Sequence, residues 1–119
     1  IEYLEEVNAI SFDADDSVNI NGTSLQGTIK ATYLELCEVF GKPTYTDADP
    51  YEKVNAEWAV QARTLSSWAD DEEDAEDSVF TIYNWKMGYI PTEEYDWHIG
   101  GKSYEAVDIA TTILKDNLS

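Results

Sequence analysis

Between Lys53 and Ala62 two sets of residues alternate without a break. Val54, Ala56, Trp58, Val60 and Ala62 form one set; Asn55, Glu57, Ala59 and Gln61 form the other. A period of two belongs to a β-strand, and no helix would gather the first five on one face. The same period recurs in Val79–Lys86, where Phe80 and Ile82 oppose Tyr83 and Trp85. It recurs again at Tyr95, Trp97 and Ile99, with His98 on the other side. After the tight-turn pair Asn21-Gly22, Leu25, Gly27, Ile29 and Ala31 alternate with Ser24, Gln26, Thr28 and Lys30. Strands with one apolar side predict an antiparallel sheet covered on one face.

The cover comes from two helices. Thr32 with Glu35 makes a capping-box signature, Tyr33, Leu36, Cys37 and Phe40 share one face, and Gly41 and Pro43 stop the helix. Cys37 on that face reads as core filler. Gly100-Gly101 reads as a chain break and Ser103 as a cap. Val107, Ala110, Ile113 and Leu114 then define a closing helix. Residues 1–17 form an uncertain N-terminal segment, with Ile1–Phe12 fitting a helix or an edge strand. Tyr45 to Tyr51 reads as a polar turn, and 66–78 as an acidic loop or short helix. The expectation is an α+β fold: a single two-layer domain over 1–119, with an antiparallel sheet of about four strands and two helices on one face.

Charge then restricts the partners. The chain carries 25 Asp and Glu against 7 Lys and Arg, a formal charge of -18 in 119 residues. An apolar fraction of 43% is too high for a disordered acidic chain, so the acids belong on the outside of a folded one. Nucleic acid is bound through cations that neutralise phosphates, so direct binding of DNA or RNA is not expected. Anionic membranes are disfavoured likewise, and no stretch approaches 18 apolar residues. The natural partner is a basic surface, and large basic grooves belong chiefly to nucleic-acid-binding proteins. Halophilic adaptation is another source of such a composition.

Motifs for chemistry are missing. His98 is the one histidine and stands beside no recognisable nucleophile motif. Carboxylate pairs abound, but none is marked out as a glycosidase pair. Gly100-Gly101-Lys102-Ser103 lacks the first glycine of a phosphate loop. A calcium loop starting at Asp13 would place Val18 where glycine is needed and Ser24 where the bidentate glutamate belongs. One cysteine, Cys37, supplies neither a disulfide nor a zinc site and fits a reducing compartment. The expectation is a protein with no enzymatic activity, no catalytic residues, no metal and no cofactor.

What remains is acid interleaved with aromatic residues. Trp68 abuts the run Asp70, Asp71, Glu72, Glu73, Asp74, Glu76 and Asp77, and Asp13, Asp15 and Asp16 make a second patch. If helical, 70–77 spans about 12 Å, comparable with several phosphates of a duplex carrying one charge per ~1.7 Å. These are the expected partner-binding residues. The alternative is a small-ligand site lined by Trp85, Tyr95 and His98.

The segments Gly22-Thr-Ser-Leu-Gln-Gly27, Val39-Phe-Gly-Lys-Pro-Thr-Tyr45, Val54-Asn-Ala-Glu-Trp58, Thr81-Ile-Tyr-Asn-Trp-Lys86 and Tyr95-Asp-Trp-His-Ile-Gly-Gly-Lys-Ser103 resemble a family of small bacteriophage proteins of undetermined function. The resemblance runs from about residue 18 to 115. It implies a viral origin and the host cytoplasm. By class-level analogy, small acidic phage proteins are often inhibitors of host defence, CRISPR and restriction systems included, and several mimic DNA. The implied function is inhibition of a host defence protein by acidic mimicry of nucleic acid. The alternative is a non-enzymatic phage protein that binds or sequesters a small ligand. The acid run looks like an addition to the family's pattern, in the place of a short turn between two strands.

Overall fold

A computed structural model describes residues 7–15, 17–47, 49, 51–66 and 76–118, with side chains for all of these but 7–11, 64–66 and 76. In chain order the elements are β1 (Val7–Ala14), β2 (Ser24–Ala31), α1 (Tyr33–Phe40), β3 (Tyr45–Thr46), β4 (Ala56–Ser66), β5 (Glu76–Tyr83), β6 (Tyr95–Gly101) and α2 (Glu105–Asn117). The fold is α+β, and its sheet has six strands rather than about four. The main path runs β1-β4-β5-β6-β2, antiparallel throughout, with β3 paired to the start of β4.

The two additional strands are β1 and β3. Val7–Ala14 pairs along β4 and takes the edge-strand option, with Asp13 inside the strand. Tyr45 and Thr46, expected within a polar turn, form a two-residue ladder with Glu57 and Ala56. The 66–78 segment is narrower than expected, because Ser66 closes β4 and Glu76, Asp77 and Ser78 open β5.

One sheet face makes the core. Ala56, Trp58, Val60 and Ala62 of β4 are fully buried, beside Phe80 and Ile82 of β5 and Trp97 and Ile99 of β6. Both helices pack here. Leu36 and Phe40 of α1 and Ala106, Val107, Ile109, Ala110, Ile113 and Leu114 of α2 belong to the same apolar cluster. The Trp58 and Trp97 rings meet edge to face at 5.5 Å. Their indole N–H groups donate to the carbonyls of Gly41 (2.9 Å) and Ala31 (3.0 Å), so neither ring buries an unpaired donor.

The capping box forms in full: Thr32 Oγ1 accepts from Glu35 N–H, and Glu35 Oε1 accepts from Thr32 N–H. Gly41 ends α1 at φ 82°. The second cap differs from expectation. Tyr104 precedes α2 with no side-chain cap, and Ser103 contributes its carbonyl, which accepts from Ala106 N–H.

Gly100-Gly101 does not break the chain, since both residues lie inside β6. A Cβ on Gly101 would stand 2.4 Å from Ala106 Cβ, so this glycine lets α2 approach the core face. A Cβ on Gly100 would meet Thr81 Oγ1 at 2.5 Å on the opposite face. Adjacent strand residues point to opposite sides, so each glycine serves one layer.

Candidate binding surface

Neither described helix lies on the second face of the sheet, and alternation sends every other strand residue there. The ladder registers set these residues in cross-strand rows. One row runs Tyr45, Glu57, Tyr83, His98 and Thr28 across β3, β4, β5, β6 and β2. The next is Ala59, Thr81 and Gly100, all small and buried. Its low relief lets Tyr83 lie down: the ring passes 3.6 Å from the position of a Gly100 Cβ and stacks on His98 at 5.4 Å.

Trp85 extends this aromatic group past the end of β5. Its ring meets Tyr83 edge to face at 6.2 Å, and its backbone N–H donates to the Tyr95 hydroxyl at 3.2 Å. Tyr95 in turn packs against the core ring of Trp97 at 5.3 Å. The structure therefore brings together the expected Trp85, Tyr95 and His98 and adds Tyr83. Lys53 and Lys86 place their ammonium groups 5.8 and 6.0 Å from the Trp85 ring centre.

A buried amide pair fixes this corner. Asn84 Oδ1 accepts from the backbone N–H of Asn55 (2.8 Å) and Ala56 (3.1 Å). Asn84 Nδ2 donates to Asn55 Oδ1 and to the Tyr89 carbonyl. Asn55 Nδ2 donates to the carbonyls of Asp47 and Asp49. Both side chains are inaccessible to solvent, and the network satisfies them as a buried polar pair requires.

Electrostatics differ along the first row. Burial pushes the Glu57 carboxyl above its ordinary range. Burial, and then the Glu57 carboxylate, push the Tyr83 hydroxyl up. Tyr45 moves the same way through desolvation and the neighbouring carboxylates of Asp47, Glu52 and Glu57. His98 Nδ1 is buried with no hydrogen-bond partner among the described residues. Among the described residues no group of three acid, imidazole or thiol side chains is placed to hold a metal ion. No helix among the described residues is long and apolar enough to cross a membrane.

The expected acidic residues are divided. Asp13 and Asp77 are both exposed and sit on the helix-free face, one on β1 and the other on β5, with β4 between them. Arg63 Nη1 lies 3.8 Å from Asp77 Oδ1, a solvent-exposed contact of small energetic worth. Asp15 follows β1 and folds its carboxylate back to accept from Ser17 N–H. Glu76 opens β5 opposite Thr64. Asp16, Trp68, Asp70, Asp71, Glu72, Glu73 and Asp74 lie outside the described residues. Near Asp77 a cleft of about 150 Å³ separates the start of β5 from α2, lined by Ser78, Lys102, Ser103 and Glu105. That is below the roughly 300–1,000 Å³ of small-molecule pockets.

Pairing added what the one-dimensional pattern lacked. Val7 is opposite Ser66, so the strand that follows Glu5 and Glu6 begins beside the residue from which the acidic connection departs. Alternation had already put Tyr83, Trp85 and His98 on one side. Their contacts, and the meeting of Lys53 with Lys86, depend on register and left no signal in the sequence. Comparison with known protein families, characterised proteins and solved structures gave no match to this chain.

Proposed function

We propose that the protein is a non-enzymatic inhibitor of phage type, which blocks the basic nucleic-acid-binding groove of a host defence protein, a CRISPR effector or restriction enzyme, by acidic mimicry of nucleic acid. The observation that carries this reading is the placement of the acids relative to the sheet. Asp13 and Asp77 stand exposed on the face without helices, and the sequence joining β4 to β5, residues 67–75, holds five further acids, Asp70, Asp71, Glu72, Glu73 and Asp74. Such charge steers association and matches a groove built for phosphates.

The test is displacement. Labelled duplex DNA is bound to a purified CRISPR effector or restriction enzyme, and the protein is added at 50 and 200 mM salt. A variant with Asp70, Asp71, Glu72, Glu73, Asp74, Glu76 and Asp77 changed to Asn or Gln is run beside it. The expected result is displacement that weakens steeply with salt and is lost in the variant. Equal displacement by the variant, or indifference to salt, would sink the reading.

A further inference from the structure

Two of the seven cations of this chain meet over one indole ring. Lys53 Nζ and Lys86 Nζ lie 5.8 and 6.0 Å from the centre of Trp85, and neither forms an ion pair among the described residues. The arrangement is held by backbone. Lys86 N–H donates to the Lys53 carbonyl at 2.7 Å, and Lys86 sits at φ 58°, a left-handed conformation uncommon for a residue other than glycine. The Asn55–Asn84 pair locks the two segments immediately behind it. Trp85 remains 40% exposed; the Tyr83 ring meets it edge to face, His98 stacks on Tyr83, and the Tyr95 hydroxyl accepts from the Trp85 backbone N–H.

We propose that the Trp85 corner is a binding site for a nucleoside monophosphate, with the base against Trp85 and the phosphate between Lys53 and Lys86. An exposed indole with the Tyr83 ring set edge to face beside it takes a flat π-surface, and bases of any identity stack on such platforms. Lysine ammonium groups over an aromatic face are weakly held and ride on flexible stems. An entering base displaces them from the ring onto its own phosphate. The charges balance, because two ammonium groups face a monoester of about -1.5 to -2 at neutral pH. A longer polyanion does not fit, since every further phosphate meets the field of the acidic chain beyond the two lysines. The site is separate from the acids at 70–77 and does not rest on the mimicry reading.

The experiment follows the Trp85 indole N–H by ¹H-¹⁵N NMR of the full chain during titration with AMP, adenosine, inorganic phosphate and a single-stranded oligonucleotide. AMP is expected to shift Trp85 with a dissociation constant of about 1 mM, and at least about tenfold tighter than adenosine or phosphate alone. Lys53→Ala/Lys86→Ala should lower AMP affinity to that of adenosine while leaving adenosine binding unchanged. Trp85→Ala, its fold checked from the remaining amide spectrum, should remove both. No Trp85 shift at 10-fold excess over that constant, AMP binding unchanged in the lysine variant, or phosphate alone matching AMP would overturn the proposal. An oligonucleotide that binds tighter than AMP would overturn its restriction to a mononucleotide.

Discussion

Replacing Asn84 by leucine tests whether the buried amide pair holds this end of the sheet together. The substitution keeps the approximate volume and removes four hydrogen bonds. The backbone N–H groups of Asn55 and Ala56 lose their acceptor and stay buried. Asn55 cannot swing round to compensate, because its own amide is held by the Asp47 and Asp49 carbonyls at 2.8 and 3.1 Å. The Tyr89 carbonyl belongs to a residue 60% exposed and is the group that regains water most easily. Each buried unsatisfied group costs about 1–3 kcal/mol, so the two N–H groups and Asn55 Oδ1 together give about 3–9 kcal/mol, reduced slightly by the gain of apolar surface. Against a stability of about 5–15 kcal/mol this is a large fraction. With an unfolding entropy near 2.1 cal/mol/K per residue, each kcal/mol lowers Tm by about 4 °C, for a drop of about 12–36 °C. Urea titration at fixed ionic strength measures the same loss through the midpoint. A loss below about 1 kcal/mol at unchanged m-value would show that the pair is incidental.

Two further perturbations probe the layers and the helix-free face. Gly101→Ala drives a methyl into Ala106 of α2 and should destabilise by about 1–3 kcal/mol, whereas Gly41→Ala meets no atom within 4 Å and leaves only backbone strain at φ 82°. A Gly101→Ala loss below about 0.5 kcal/mol would contradict the close approach of α2 to β6. Glu57 carries a pKa raised by burial above its ordinary 4.5, so the native chain holds this proton more tightly than the unfolded one. Its stabilising contribution is complete below pH 4.5 and is lost as pH rises through the folded value. Glu57→Gln fixes the uncharged form and should raise Tm at pH 7 but not at pH 3.5. A gain of the same size at both pH values would mean that proton binding is not the cause.

The core was legible because alternation is a local property. Trp58, Val60, Phe80, Ile82, Trp97 and Ile99 fall where a period of two puts them, and all six are fully buried. The α1 boundaries were legible for a similar reason, since Thr32, Glu35 and Gly41 act within one turn. β1 was not, because its apolar spacing suits a helix as well. Only the ladder with β4, distant in the chain, decides the matter. Nor was Gly100-Gly101, whose local signal is a break while the tertiary demand is close approach on both faces. At the Trp85 corner, membership of one face was readable from Tyr83, Trp85 and His98. The left-handed backbone of Lys86 was not, because lysine gives no sign of it.

The strand order has a kinetic consequence. β1 and β2 are neighbours in the sequence but occupy opposite edges of the sheet, and neither pairs with the other. β2 must find β6, where Ile29 meets Trp97. At ribosomal rates of about 5–20 residues per second, the roughly 70 residues between these partners take about 4–14 s to emerge. Throughout that interval β2 has no ladder to join, while β4, once made, can already take up β1 and zip together with β5. Folding should therefore start from the middle of the chain and end at its edges, with β2 waiting longest for its place.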